Sequence, residues 1–300
     1  MAKLPAYLKK GDWVAVVCPA GFVPGALHEA LELLESWGLQ VLMGESVTSR
    51  YHQFAGDDAL RTQDMQWALD HPEVRAVFAA RGGYGTVRII DQLDFSRFEL
   101  HPKWVVGFSD ITVLHSHIHA LFGIPTLHGQ MPMTIPDASS KSLQSLRALL
   151  FGEDLSYQVD PHALNRNGTA EGVWIGGNLS LLVSLVGSPS EMDFRDKILF
   201  IEDVGEQLYA LDRMLWMLYR AGKLAHLKGL VVGSFTQLKD HEHNPFGKSY
   251  EEIILEKVES YTYPVCFGFP AGHISENLAL KFGVTITLKV EEKGTEIQYN

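Results

Sequence analysis

Residues 103–119, KWVVGFSDITVLHSHIH, hold an apolar run, a tight Gly107-Phe108-Ser109-Asp110 link and an amphipathic run. The first run is apolar at consecutive positions, as expected of a strand covered on both faces, and the last has helical spacing. A buried strand that turns straight into a helix is the unit from which parallel α/β sheets are built. The same alternation extends outward from it. WVAVVC, LQVLM, VRAVFAA and PTLH read as further strands, and PGALHEALELLESWG, DDALRTQDMQWALDH, GTVRIIDQL and SKSLQSLRALLFG read as helices between and after them. The expected fold is therefore α/β, with a doubly wound parallel sheet in an N-terminal domain at residues 1–151.

Residues 152–172 are polar and carry Pro, Asn and Gly, so they read as an interdomain connection. Residues 173–300 form a second domain on this reading. Its strands are KILFI, LKGLVVGS and PVCFGF, its helices EQLYALDRMLWMLYRAG and SYEEIILEKVES, and its end the hairpin VTITLKVEEKGTEIQYN.

The 300 residues are 46% apolar and carry 36 acidic against 25 basic side chains, a net charge of −11 with histidine neutral. That composition can bury a core, and without a basic run it argues against nucleic acid or an anionic membrane as partner. No apolar run reaches spanning length. The apolar stretch after the N-terminal lysines is interrupted by Asp12 and is followed by no convincing cleavage site, so a core strand is expected rather than a signal peptide, and with it a cytoplasmic protein. Two cysteines, Cys18 and Cys266, in apolar strand contexts read as reduced structural thiols.

Ligands of parallel α/β sheets bind beyond the carboxyl ends of the strands. Four chemically useful features fall at such ends: Arg81-Gly82-Gly83-Tyr84-Gly85, Ser109-Asp110, Glu202-Asp203 and Gly272-His273. A hydroxyl, a carboxylate, an imidazole and a glycine-rich loop are the components of nucleophilic acyl transfer. Each also has an ordinary structural role. Ser109 is placed to cap a helix, and Ile111 stands where a nucleophile elbow carries its second glycine. The loop at residues 81–85 lacks the spacing of a dinucleotide fingerprint, so its amides are better read as donors to a substrate oxygen. Glu202, Asp203 and, one turn further, Glu206 compete as the carboxylate that orients a histidine. His115 and His119 share a helical face, and His241 and His243 share a polar loop. Neither pair comes with a third ligand at a recognisable spacing, so no metal and no cofactor are expected.

Seven blocks then carry a resemblance: FAGDDALRTQDMQWAL, RGGYGTVRIID, PKWVVGFSDITVLH, LHGQMP, GVWIGGNLSLL, ILFIEDVGEQLYALDRML and GFPAGH. In that order, from about residue 10 to residue 285, they resemble the LD-carboxypeptidases, serine peptidases that include murein tetrapeptide carboxypeptidases and microcin-immunity peptidases. The resemblance implies a smaller C-terminal α/β domain with the active site between the two domains, and a homodimer. It implies a Ser109–Glu202–His273 triad, an oxyanion hole from the Gly83 and Asp110 amides, and a murein tetrapeptide substrate ending in D-alanine. Arg81, Tyr84, Trp174 and Asn178 are candidates for substrate contact. The sequence departs from the family in VVCPAGF, where relatives often carry serine after the proline. Two alternatives stay open: cleavage of peptidyl-aminoacyl adenylates by the same triad, and a catalytically silent muropeptide-binding protein, which would need a broken triad.

Overall fold

The computed structural model describes residues 3–300 and divides into two compact units. The first runs to Asp154 and includes Ser275–Gly283. The second is Leu155–Ile274 with Val284–Asn300.

In the first unit the chain alternates as expected: β1 (Trp13–Val17), α1 (His28–Ser36), β2 (Gln40–Met43), α2 (Asp58–Asp70), β3 (Val74–Ala79), α3 (Thr86–Ile89), α4 (Ser96–Leu100), β4 (Trp104–Gly107), α5 (Thr112–Phe122), β5 (Thr126–His128) and α6 (Ser140–Phe151). β2, β1, β3, β4 and β5 lie side by side and parallel. Strand order thus reverses between β1 and β3. Because crossovers are right-handed, that reversal sends helices to both faces and leaves a crevice at the carboxyl ends of β1 and β3. β4 is buried along its whole length, and the inner strands β1 and β3 nearly so, which is why they read as continuous apolar runs.

The second unit holds β6 (Ser156–Val159), β7 (Gly168–Asn178), α7 (Leu179–Ser184), β8 (Lys197–Val204), α8 (Leu208–Arg220), β9 (Gly229–Thr236), α9 (Tyr250–Val258) and β10 (Val265–Cys266). The chain then gives β11 (Leu280–Phe282) to the first sheet, antiparallel to β5, and ends in β12 (Thr285–Glu291) and β13 (Gly294–Tyr299). Among the described residues the second sheet runs β10-β9-β8-β7-β12-β13-β6, parallel from β10 to β7 and antiparallel beyond.

Two boundaries differ from the sequence reading. Residues 152–172 are not merely a connection, because they hold β6 and the first half of β7. Their buried positions alternate, as in Tyr157 and Val159, and polar residues between them mask the signal. Residues 275–283 belong with the first unit although they fall inside 173–300. A three-residue strand such as β11 is too short to carry a period of its own.

Candidate active site

In the first unit, β4 ends at Gly107, whose φ of 158° and crowding leave no room for a side chain: a Cβ there would lie 2.8 Å from Ile111 Cγ1. The Gly107 carbonyl accepts hydrogen bonds from Gly129 N (3.2 Å) and from the His115 ring at Nε2 (2.8 Å), which pins the strand end. Two residues on, Ser109 has φ 64°, in the left-handed region. That conformation costs a non-glycine residue roughly 1–3 kcal/mol and is retained where the surroundings demand it. Ser109 opens a 3₁₀ turn, Ser109–Ile111, that leads into α5, and no side chain caps either element. The cap positions fall on Phe108 and Ile111, and Ser109 is the first residue of the 3₁₀ turn.

The loop after β3 presses against this turn. A Cβ on Gly82 would sit 3.0 Å from Ser109 Cβ, 3.2 Å from its Oγ and 3.5 Å from Asp110 N. Gly82 O accepts from Gly21 N (3.0 Å), and in a planar trans peptide the Gly83 N–H must point the opposite way. The Asp110 carboxylate is fully buried and accepts from Thr86 N (2.8 Å), tying the serine turn to the start of α3. Burial raises its pKa, opposed in part by hydrogen bonds from Thr86 and Gly85 and by the Arg61 charge. Asp110 therefore contributes a structural carboxylate, a role distinct from the amide expected of it.

Arg61 was missed in the sequence, where it passes for one polar position of an amphipathic helix. It is fully buried and donates from Nη1 to Pro19 O (2.5 Å) and Gly85 O (3.0 Å), joining the loops that follow β1 and β3. Asp58 pairs with it and is itself held by Arg88. Cys18 donates its thiol to Gly21 O (2.9 Å), and burial pushes the thiol up to about 12, so it stays protonated and unreactive. Arg81 donates to Phe22 O and lies over the Phe22 ring, which Arg50 also covers. Tyr84 is about half exposed (49%) beside Phe54.

In the second unit, Glu202 stands near the end of β8 with no exposed surface. Pairing with β9 shifts register between Ile201 and Asp203, an irregularity at the point where the carboxylate must be aimed. Its Oε2 lies 2.7 Å from His273 Nδ1. A carboxylate can only accept, so Nδ1 carries the proton and Nε2 is left as the basic nitrogen. Gly272 makes the approach possible: at φ 120°, a Cβ would lie 2.4 Å from Ser234 Oγ and 2.8 Å from Glu202 Oε2. Burial by itself would lower the His273 pKa, but the Glu202 hydrogen bond and the charges of Glu202 and Asp203 outweigh it, and the pKa is raised.

Asp203 faces other partners, Asn178 Nδ2 (2.9 Å), Ser180 N (2.9 Å) and Val204 N (2.8 Å). Burial and the neighbouring Glu202 charge push it up to about 6. Glu206 lies partly exposed beyond the strand, with its carbonyl bound to Lys239 N (2.9 Å). Among the three carboxylates left open by the sequence, the histidine pairs with Glu202. Two substrate-contact candidates are placed otherwise than expected. Trp174 is fully buried among the rings of Tyr157, Phe269 and Tyr299, a core residue. Asn178 is buried as the cap of α7, its Oδ1 accepting from Leu181 N.

Of the histidine pairs, His115 is buried with its Nε2 on Gly107 O, and burial pushes it down to about 4, so it stays neutral. Among the described residues no three His, Cys, Asp or Glu side chains are grouped to hold a metal.

Residues 14–129 match the LD-carboxypeptidase N-terminal domain, and residues 171–288 the LD-carboxypeptidase C-terminal domain. The chain is 38% identical to a protein of Bacillus subtilis named "Probable murein peptide carboxypeptidase", covering 98% of this chain and 94% of that one. It is 34% identical to the murein tetrapeptide carboxypeptidase of Pseudomonas aeruginosa over 92% of each. A solved muramoyltetrapeptide carboxypeptidase from Oxalobacter formigenes superposes with a TM-score of 0.87 at 29% identity, covering 96% of this chain and 99% of its own. The microcin C7 self immunity protein MccF superposes with a TM-score of 0.88 over 99% and 98%, but at 20% identity it shares the fold alone.

Proposed function

The chain belongs to the LD-carboxypeptidase family, and on that premise we propose that it is a serine carboxypeptidase acting on murein tetrapeptides, releasing the terminal D-alanine. The observation that carries this reading is the buried Glu202 carboxylate on His273 Nδ1 at 2.7 Å. That pair leaves an imidazole nitrogen basic and ready to carry a second proton.

In the reaction Ser109 Oγ attacks the carbonyl that joins the L-centre of the third residue to D-alanine, while His273 Nε2 takes the hydroxyl proton. The Gly83 and Asp110 amides hold the oxyanion. His273 then returns the proton to the departing D-alanine amine, leaving an acyl-enzyme. Water, deprotonated by the same nitrogen, releases the tripeptide and restores Ser109. Glu202 keeps the imidazole in the correct tautomer and stabilises the imidazolium. Arg81 is the candidate cation for the terminal carboxylate that a carboxypeptidase must recognise. No described helix is long and apolar enough to cross a membrane. The reading further takes the enzyme to be a cytoplasmic homodimer, which fractionation and sedimentation test.

Mass spectrometry of the products from defined L-Ala-D-Glu-diamino acid-D-Ala peptides tests the reaction. Wild type is expected to yield tripeptide and D-alanine, and Ser109→Ala to lose several orders of magnitude in rate. Undiminished release by Ser109→Ala would overturn the assignment.

A further inference from the structure

At the end of the first sheet opposite Ser109, where β3 and β4 begin, lies a cavity of about 510 Å³. Its polar lining is Asp70, His71, Arg75, Arg97, His101 and Lys103. In a chain of net charge −11, Arg75, Arg97 and Lys103 against Asp70 are a local inversion of sign. The nearby acids have other hydrogen-bond partners while still acting on the cavity cations: Asp70 accepts from Gln66 Nε2 (3.0 Å) and supports the Lys103 charge, and Asp94, which accepts from Ser96 N (2.8 Å) and the Ser96 hydroxyl, feels the Arg97 charge. Among the described residues neither Arg75 nor Arg97 has a carboxylate within ion-pair distance.

Lys103 is buried in the floor and donates to Ala68 O (3.0 Å) and His71 O, so it neutralises the carbonyl end of α2, which would otherwise repel an anion. Burial pushes Lys103 down to about 8, with Asp70 opposing and the Arg75 charge adding to the fall. Asp70 is the one carboxylate in the lining, so the cavity keeps a net positive charge that a bound anion offsets. One wall is apolar: Leu69 lies beneath, and Leu100 stands 68% exposed at the rim, a large side chain left for something to cover. The volume is within the range of roughly 300–1,000 Å³ that holds small ligands, and is more than a lone phosphate fills.

We propose that this cavity is a second ligand site, remote from the serine, that binds a phosphate-bearing small molecule through Arg75 and Arg97 and rests its body on Pro72 and Leu100. Guanidinium pairs suit the oxygens of a phosphate, which they contact in two-pronged fashion. The assignment does not depend on the proposed peptidase reaction.

Calorimetric titration of the full chain with inorganic phosphate, pyrophosphate, AMP and citrate tests it. The expected result is saturable binding of AMP or pyrophosphate with Kd at or below about 1 mM, tighter than citrate. Each arginine should contribute about tenfold, so Arg75→Ala/Arg97→Ala is expected to weaken binding about a hundredfold. Arg147→Ala, at an exposed arginine paired with Glu153, should leave it unchanged. Both target arginines are exposed, so the double variant should fold, and its melting temperature checks this. Absence of saturable binding by any phosphate probe, equal binding of citrate, or full binding by the double variant overturns the site.

Discussion

Replacing Glu202 by Gln keeps the shape of the buried side chain and removes its charge. The consequence follows from the 2.7 Å contact with His273 Nδ1 and the complete burial of Glu202. In the attacking step the imidazole becomes a cation. With charge centres roughly 4 Å apart and an effective dielectric near 20, losing the carboxylate removes about 4 kcal/mol of stabilisation from that cation. At 1.36 kcal/mol per decade, this is about a thousandfold in kcat. A glutamine can also donate to Nδ1, which moves the ring proton to Nε2 and blocks proton transfer from Ser109, so the expected loss is about 10³ to 10⁴. The pH profile gives an independent reading. On the proposed mechanism activity should rise with pH as His273 loses its proton, and the Glu202 charge raises that pKa, so Gln should move the acid limb of kcat/KM to lower pH. D-alanine release measured across pH on tetrapeptide, with thermal melting to confirm folding, provides the test. A rate within tenfold of wild type, or an acid limb displaced to higher pH, would refute the role given to Glu202.

Gly272→Ala should lower kcat by two or more orders of magnitude, because its Cβ would meet Ser234 Oγ and Glu202 Oε2 at a φ of 120°. Steady-state kinetics check it, and wild-type kcat would show that the loop yields without moving the pair. His115→Leu removes a donor from Gly107 O and should cost about 1 kcal/mol of stability in denaturant titration, with kcat falling more than KM rises. Asp203, raised to about 6, binds its proton more tightly in the folded state. Its contribution to stability should therefore fall as pH rises from about 4 to 6, by about 2 kcal/mol, and Asp203→Asn should flatten that slope in denaturation midpoints.

Much of the first sheet was legible because each inner strand is buried on both faces and must be apolar at every position. Ser109 stood out by its position just beyond such a strand, and His273 by following the apolar run PVCFGF. The choice among Glu202, Asp203 and Glu206 was not legible from local pattern, since all three follow the same apolar run and only the family resemblance favoured Glu202. Trp174 and Asn178 misled for a related reason: a tryptophan within a strand, or an asparagine at its end, reads the same whether it faces a ligand or the interior. Arg61 did not stand out, because its local partner Asp58 reads as an ordinary helix-face ion pair and the contacts that set it apart are to backbone carbonyls 24 and 42 residues away.

The sequence by itself determined the alternation of strand and helix, the strand ends at which chemistry collects, and the order of blocks that marks the family. Periodicity and turn glycines are local, and local patterns survive in a linear string. Only the tertiary structure decided that Glu202 holds His273, that Ser109 sits in left-handed backbone, and that Gly82 closes against it. It also decided that residues 275–283 complete the first sheet. Those facts depend on distances between residues far apart in sequence, set by sheet register and by the few glycines that leave room for close approach.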